Sequence, residues 1–556
     1  MKMTTEVGSC SLFVCTFFIL IIIANFVKTY HKIKGRISLL TLFVLFLLPF
    51  MTVLMMVIIC IPILWVYKIL LKAYLKIKHG SKFIGMVESG DATYVTTSKS
   101  DAIICYLLIL EVGEGTSPHQ VYETMKDVVN KNFLQNGNMY KLNSALHYFA
   151  GYFYMLKEEP TLEQCVKRLR VIENQGKISR EKLMQLISEC QYKPLSKNDS
   201  ILWDCSVGVQ PVEWGDSTKP NTEHYPILFR THHFIGDAFA FIQFLFGVVA
   251  DKSDNPEVCR KVYLSKVQGL WWPFKLLNNA VLVLYVLIFL PSLLLQDFIL
   301  VEKVNVLRTV KPTNVDILAT KVDDGEYLQK IKCIRSSFKE MNFSTVLFTA
   351  LSLSLQEHLR KTSSQRPESL ILTVLSLPKA IYLRELPVGH LTSDDIVLKN
   401  SVSAFNMNLP IFPKNNLSLE ERLQFIQREA NGLSESPSAK LSYVGIRLAF
   451  QVLPLPILKF VTQAVPLTLG LSMLPGTEKA HLNDGVFNVK DCIFLPPYLK
   501  KFNFTFSSLT YDKKLHIALK VDATVVGNRN EAQSILDDVF KYLHLLEKEI
   551  SLKKCK

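Results

Sequence analysis

The eleven cysteines of this 556-residue chain include no Cys-x-x-Cys pair. Their odd number and irregular spacing argue against a disulfide framework and against a zinc site. Three of them, Cys10, Cys15 and Cys60, fall inside long apolar runs. The bulk of the chain is therefore expected to face a reducing compartment. The glycosylation tripeptides at Asn198, Asn342, Asn416 and Asn503 are a weak contrary sign, since such triplets arise often by chance. The chain also lacks zinc-ribbon, RRM and helix-turn-helix signatures, short-period repeats and low-complexity tracts. Acidic residues are scarce at one end: residues 1–82 hold ten Lys or Arg and one acid, Glu6, and so carry +9 of the net +14. A basic excess beside apolar runs points to anionic lipid head groups. It does not point to nucleic acid, which would need a basic face on a folded domain.

Apolar sequence is what the chain has in excess. It is 49% hydrophobic, with a mean hydropathy of +0.21. The excess sits in residues 10–27, 37–67, 280–295 and a patchier run over 444–473. Residues 10–27 have about the minimum length for a membrane span. They read as a retained anchor or a signal peptide; the basic residues that follow the run, and the second run behind it, favour the anchor. Residues 37–67 carry no charge and contain Pro49 and Pro62. They suit either one tilted, kinked helix or a hairpin that enters and leaves by one face. Basic residues flank both ends, which places both flanks and everything after residue 68 on the cytoplasmic side. Residues 280–295 follow Trp271-Trp272 and read equally as an interfacial anchor or a buried core helix.

Length alone implies two domains. The expected division is a membrane anchor over 1–82, a first mixed helix-and-strand half over 85–265, a crossover with an apolar segment over 266–309, and a second half over 310–556. In the first half, 100–110 reads as a buried strand, 118–133 as a helix with Val121, Met125 and Val128 at helical spacing, and 227–233 as a strand. In the second, 344–360 is a helix and 370–377 and 401–411 are strands. Ser418 and Glu421 form a capping box that opens a helix over 419–430. The period-two stretches 502–509 and 515–521 form an antiparallel hairpin joined through 510–514, and 531–550 is an amphipathic closing helix.

The segment Arg230-Thr-His-His-Phe-Ile-Gly-Asp237 carries the chemistry. A β-favouring stretch leads into it and an apolar helical stretch follows. Alternation along a strand places His233 on the face of Thr231, Phe229 and Ile227, and His232 on that of Arg230 and Leu228. Two histidines on opposite faces do not converge on one ion, so no metal is expected. A histidine where the strand ends and a helix begins suits a general base, with an ordinary pKa near neutrality. His233, at the mouth, is the expected base and His232 its support. Asp237 is the expected helix cap; holding Arg230 and fixing the turn are further roles open to it. Gly236 is expected to relieve a tight turn.

His-His-x-x-x-Asp resembles the motif of the CoA-dependent acyltransferase superfamily, and the stretch is similar to its wax ester synthase/diacylglycerol acyltransferase branch. Other landmarks of that branch recur in order: Gly90-Asp-Ala-Thr-Tyr, Pro194-Leu195 followed by Leu202-Trp203-Asp, Leu474-Pro-Gly476, and the hairpin from Tyr511 to Asp522. The likeness covers roughly residues 85–550. Ala238 stands where the motif has glycine, Ser344-Thr345 where the family has Asn-Asp, and Met473 where it has Asn. The common bacterial members also lack the N-terminal membrane segments.

The resemblance implies an α/β (α+β) fold of two chloramphenicol-acetyltransferase-like halves with a tunnel between them, preceded here by the membrane segments. It implies an acyl-CoA-dependent O-acyltransferase. Acyl-CoA is the co-substrate, with no permanently bound cofactor. The partners are a long-chain alcohol or diacylglycerol and membrane lipids, and the products wax ester or triacylglycerol. His233 is then the base, His232 supports it, and Asp237 is structural; the oxyanion donor is unassigned. The expected location is a membrane, the endoplasmic reticulum first, with lipid droplet and plasma membrane as alternatives. A membrane-anchored lipid-binding or transfer protein on a degenerate acyltransferase fold is the alternative, motivated by Ser344, Thr345 and Met473. A transporter or channel fits poorly, because the apolar segments carry no intramembrane charge.

Overall fold

The computed structural model describes residues 38–554 and a few of 22–30. It omits 252–258, 264–288, 290–305 and 308–315, and several shorter stretches, chiefly 196–200, 216–221, 377–382, 388–391, 465–468 and 498–502. The expected segments at 10–27 and 280–295 thus fall almost wholly outside the described residues.

Two six-stranded sheets organise the soluble part. In the first, Ile103–Val112 lies between Glu223–His232 and Phe487–Leu495, antiparallel to both. Trp203–Val207 and Val166–Arg168 extend it on one side and His481–Leu482 on the other. In the second, the order is Ser403–Pro410, Ser369–Ser376, Leu469–Thr477, Phe504–Tyr511, Lys514–Asp522 and Asp316–Val322. Strand Phe487–Leu495 comes from the second half of the sequence yet pairs within the first sheet. The division at residue 310 is therefore not the division between sheets. The strand's last five residues are buried on both faces, and a strand buried on both faces carries no alternation to say which sheet receives it.

Most sequence-read elements form close to their expected limits. Helix Phe343–Thr362, strand Ser369–Ser376 and helix Leu419–Glu435 are present, the last opened by the Ser418–Glu421 capping box. The closing helix runs Arg529–Lys554. Strands Phe504–Tyr511 and Lys514–Asp522 form the expected hairpin. Its turn is shorter than expected: Asp512 and Lys513 alone span it, both at positive φ.

Residues 39–79 form one unreversed helix: Leu39–Met55, a π turn at Met56–Cys60, then Ile61–His79. The structure therefore takes the kinked-helix alternative and not the hairpin. Pro62 has no N–H to bond to the preceding turn, and the π turn just ahead of it absorbs the mismatch. The stretch Ile58–Lys82 is long and apolar enough to cross a membrane, and little of it is buried against the protein. Its C-terminal part docks through Leu71 and Leu75 onto a cluster with Tyr152, Tyr154 and Leu156, from the small sheet Phe83–Met86, Tyr152–Lys157, Ser144–Phe149.

Candidate active site

Strand Glu223–His232 shows the expected alternation. Ile227 and Phe229 join the core under the first sheet. Leu228 joins the layer where that sheet meets Leu318 and Ala518 of the second lobe. His232 closes the strand, and His233 opens the turn before helix Ala238–Phe244. The turn is tied down from several sides: His232 and His233 donate their backbone N–H groups to Leu202 and Ala102, and Phe234 donates its own to His232 Nδ1 at 3.0 Å. His232 thus helps hold the turn in which His233 sits.

Asp237 caps the helix, accepting from Ala240 N at 2.9 Å, and its second oxygen accepts from Ser401 N at 2.8 Å. It therefore ties the motif to the second half of the chain as well as closing its own helix. Arg230 does not turn to it; its guanidinium pairs with Asp204, with Nε 2.8 Å from Oδ1. By alternation Arg230 points to the opposite face of the strand. Gly236 also departs from expectation. It is not among the positive-φ glycines; a Cβ there would instead come tightly, at 3.3 Å, against the Ala240 Cβ and into ordinary contact with the backbone of Leu398 and Lys399. The glycine serves close packing of the 398–401 segment.

That segment brings the group that sequence reasoning missed. Asn400 Oδ1 lies 2.7 Å from His233 Nδ1. The Asn400 amide nitrogen donates to Asp91 Oδ1 at 2.8 Å and to the His233 carbonyl at 2.7 Å. Asp91 also accepts from Asn400 N and pairs with Lys141 at 2.6 Å. A carboxylate held by a lysine can only accept, so the amide must turn its nitrogen to Asp91 and its oxygen to the imidazole. This assigns the proton to Nδ1 and leaves the lone pair on Nε2. Gly90, in helix Ser89–Val95, permits the arrangement: a Cβ there would fall 2.2 Å from the Asn400 carbonyl oxygen.

His233 is 5% exposed. Burial pushes its pKa down from 6.5 to about 4, against the smaller upward pull of hydrogen bonds to its own backbone and to Asn400. The ring of Tyr94 lies flat on the imidazole, centroids 3.4 Å apart. Burial, and then the charge of Asp237, push the Tyr94 phenol far up. The result is a neutral, oriented imidazole at the junction of the lobes, equipped to take one proton through Nε2. Asp91 and Tyr94 fall in the Gly90-Asp-Ala-Thr-Tyr stretch that marked the start of the domain. Asn400 carried no signal beyond a polar Lys-Asn-Ser ahead of a strand. No cluster of three or more His, Cys, Asp or Glu able to hold a metal occurs among the described residues.

Residues 398–547 match the family model of the wax ester synthase/diacylglycerol acyltransferase (WS/DGAT) C-terminal domain. This part of the chain carries the WS/DGAT C-terminal domain. The match starts two residues before Asn400 and does not overlap the histidine motif, so two separate stretches point to one family of O-acyltransferases. Among solved structures, the fold is similar to the wax ester synthase/diacylglycerol acyltransferase of Marinobacter aquaeolei VT8, with a TM-score of 0.51 at 14% identity over 84% of this chain and 99% of that one. It is also similar to the trichothecene 15-O-acetyltransferase of Fusarium sporotrichioides, with a TM-score of 0.55 at 11% identity over 83% and 94%. The first condensation domain of the calcium-dependent antibiotic synthetase gives 0.54 at 9% identity over 84% and 96%. At these identities the likeness establishes the two-lobed acyltransferase fold. No curated protein matches the sequence directly.

Of the departures from the WS/DGAT pattern, Ala238 opens the helix that follows the histidine turn, whereas Thr345 and Met473 lie in the second lobe. Thr345 is fully buried in helix Phe343–Thr362, its hydroxyl without a partner among the described residues. Met473 packs against the same second-lobe core.

Proposed function

We propose that this protein transfers a long-chain acyl group from acyl-CoA to the hydroxyl of a lipid alcohol, a fatty alcohol or diacylglycerol, with His233 as general base. Nε2 takes the hydroxyl proton as the oxygen attacks the thioester carbonyl. The C–O bond forms, the tetrahedral oxyanion collapses, the C–S bond breaks, and the imidazolium returns the proton to the departing CoA thiolate. No acyl-enzyme is needed. His232 supports the turn, and Asp237 joins the motif to the second lobe. The observation that carries the reading is the Asn400 contact, which commits Nδ1 as donor and reserves Nε2 for the acceptor. Burial keeps the imidazole neutral, the form a base requires.

The apolar helix fits a lipid acceptor. Each buried CH₂ favours the bilayer by about 0.8 kcal/mol, so a long-chain alcohol stays there, whereas anionic CoA stays in water. The basic residues from Lys68 to Lys82 favour a membrane with its catalytic part on the cytoplasmic side, as at the endoplasmic reticulum. Membranes holding the protein, given labelled acyl-CoA and either fatty alcohol or diacylglycerol, test the reading by separation of the products. His233→Ala should remove ester formation without changing membrane association; full activity in that variant would refute the assignment.

A further inference from the structure

We propose that the catalytic lobes are seated on an anionic bilayer surface by a contact separate from the apolar run 37–67. The seat is the face formed by the helix after Lys68 and the hairpin tip at residues 148–151. The proposal rests on the membrane placement set out above. Three observations carry it.

The first is the pattern of the helix beyond Lys68. Leu71 and Leu75 are buried against the small sheet. Leu70, Tyr74 and Ile77, spaced i, i+4 and i+7, form a separate stripe about a third of the way round the helix from that docked side. The stripe faces away from the protein: Leu70 is 64% exposed and Ile77 85%. Exposed Lys78 borders it on one side; on the other, exposed Ile69 widens it as far as Lys72 and Lys76, which are also exposed. An outward apolar stripe between lysines is the pattern of a helix lying in the surface of an anionic membrane.

The second is the level of that stripe. The uncharged run 37–67 ends at Lys68. Lys68, Lys72, Lys76 and Lys78 are ill suited to hydrocarbon, so the helix before Lys68 is the part suited to cross. From Leu39 to Tyr67 it is about 43 Å long, against about 30 Å of hydrocarbon. The excess is taken up by tilting or kinking, and the segment after Lys68 then leaves the hydrocarbon obliquely, within reach of the head groups. Trp65 and Tyr67, one turn or less before Lys68, are about half exposed. Aromatic residues followed by lysine mark the boundary between hydrocarbon and head groups.

The third is the hairpin tip, which is fastened at that boundary. The Tyr67 hydroxyl donates to the Ala150 carbonyl at 3.4 Å, and Lys68 Nζ donates to the Gln451 carbonyl at 2.6 Å. Ala150 and Gly151 turn the hairpin at positive φ, and Tyr148 and Phe149 beside them stand exposed. Phe149 stacks on Tyr74 with centroids 5.8 Å apart, and Lys78 Nζ lies 5.3 Å from the centre of its ring. The tip therefore widens the stripe. The occupant that fits is a lipid surface: the stripe is continuous with the apolar run, and the lysines around it match anionic head groups. The seat is joined closely to the site. Strand Phe83–Met86 follows the helix and leads within a few residues to Ser89–Val95, which carries Asp91 and Tyr94.

The test uses the full chain in vesicles of phosphatidylcholine and phosphatidylserine, with a dansyl amino acid in place of Ile77 or Tyr148. Bromines on the lipid acyl chains should quench both probes, and aqueous acrylamide should quench them severalfold less than it quenches a free dansyl amide. A chain that floats with the vesicles but leaves either probe open to acrylamide overturns the proposal. A probe that neither quencher reaches also overturns it, since protein then covers the face. Exchanging phosphatidylserine for phosphatidylcholine should lower the bromine quenching severalfold; equal quenching overturns the assignment of an anionic surface. A chain that does not float at all refutes the membrane placement itself, a result distinct from open probes on a floating chain.

Discussion

Two buried histidines, His233 and His516, sit near the meeting of the lobes in opposite chemical company. His233 offers Nδ1 to the neutral amide of Asn400. His516 places Nε2 2.8 Å from Asp491, whose other oxygen accepts from Trp214 Nε1 at 2.6 Å. The second group has the look of a catalytic His–carboxylate pair, but its position argues for a tie. Asp491 lies on the strand that crosses into the first sheet, at an irregularity in its pairing, and His516 lies in the second sheet. Burial would raise the Asp491 carboxyl, but hydrogen bonding and charge from His516 and the Trp214 bond hold it below its ordinary value. An anionic partner fastens a histidine in place; a neutral amide orients one and lets burial keep it uncharged.

The comparison breaks most sharply on turnover. His233→Ala should reduce kcat by about 10²- to 10⁴-fold, the range of a lost general base. His516→Ala should leave the kcat of the folded fraction within severalfold. Equal losses in steady-state assays would mean that the carboxylate pair takes part in the chemistry. Asn400→Leu should cost about 10- to 100-fold in kcat, a part of the same general-base contribution, because Nδ1–H loses the acceptor that sets its tautomer.

Stability should sort the two histidines the other way. His516→Ala leaves Asp491 buried without its main partner and should cost about 3 kcal/mol, read as a lowered midpoint in thermal or denaturant unfolding. His232→Ala should cost less, about 1–2 kcal/mol for one buried N–H left without its acceptor, with a smaller loss of turnover than His233→Ala.

The pH dependence sharpens the contrast. His233 titrates at about 4 in the folded chain against 6.5 as the ordinary value. As pH falls, the unfolded chain takes up the proton first. The stability tied to this residue is therefore complete above about pH 6.5 and is lost progressively down to about pH 4. On the same ground the acid limb of kcat/KM should lie well below pH 6.5. An acid limb at pH 6.5 or higher would show that the closed, Tyr94-covered site is not the one that reacts.

Much of the site was legible as local grammar. The strand-to-helix junction, the unequal faces of His232 and His233 and the cap at Asp237 all follow from neighbours within a few positions, where alternation and capping act. Asn400 was not legible: it lies 167 residues from His233 and 309 from Asp91, and an asparagine before a strand is unremarkable until the chain is folded. The same limit governs Arg230, a plausible partner for Asp237 by proximity in sequence but committed to Asp204 across the sheet.

By itself the sequence determined the apolar run over 37–67, the order of most strands and helices, and the strand-to-helix turn that carries His232 and His233, because hydrophobic period and turn chemistry are local. Tertiary structure decided three further matters. It set the crossover strand in the first sheet, kept residues 39–79 as one helix, and built the Lys141–Asp91–Asn400–His233 chain of contacts. Those depend on packing between distant segments, such as the backbone approach that only Gly90 permits, and no short stretch of the chain encodes such an approach alone.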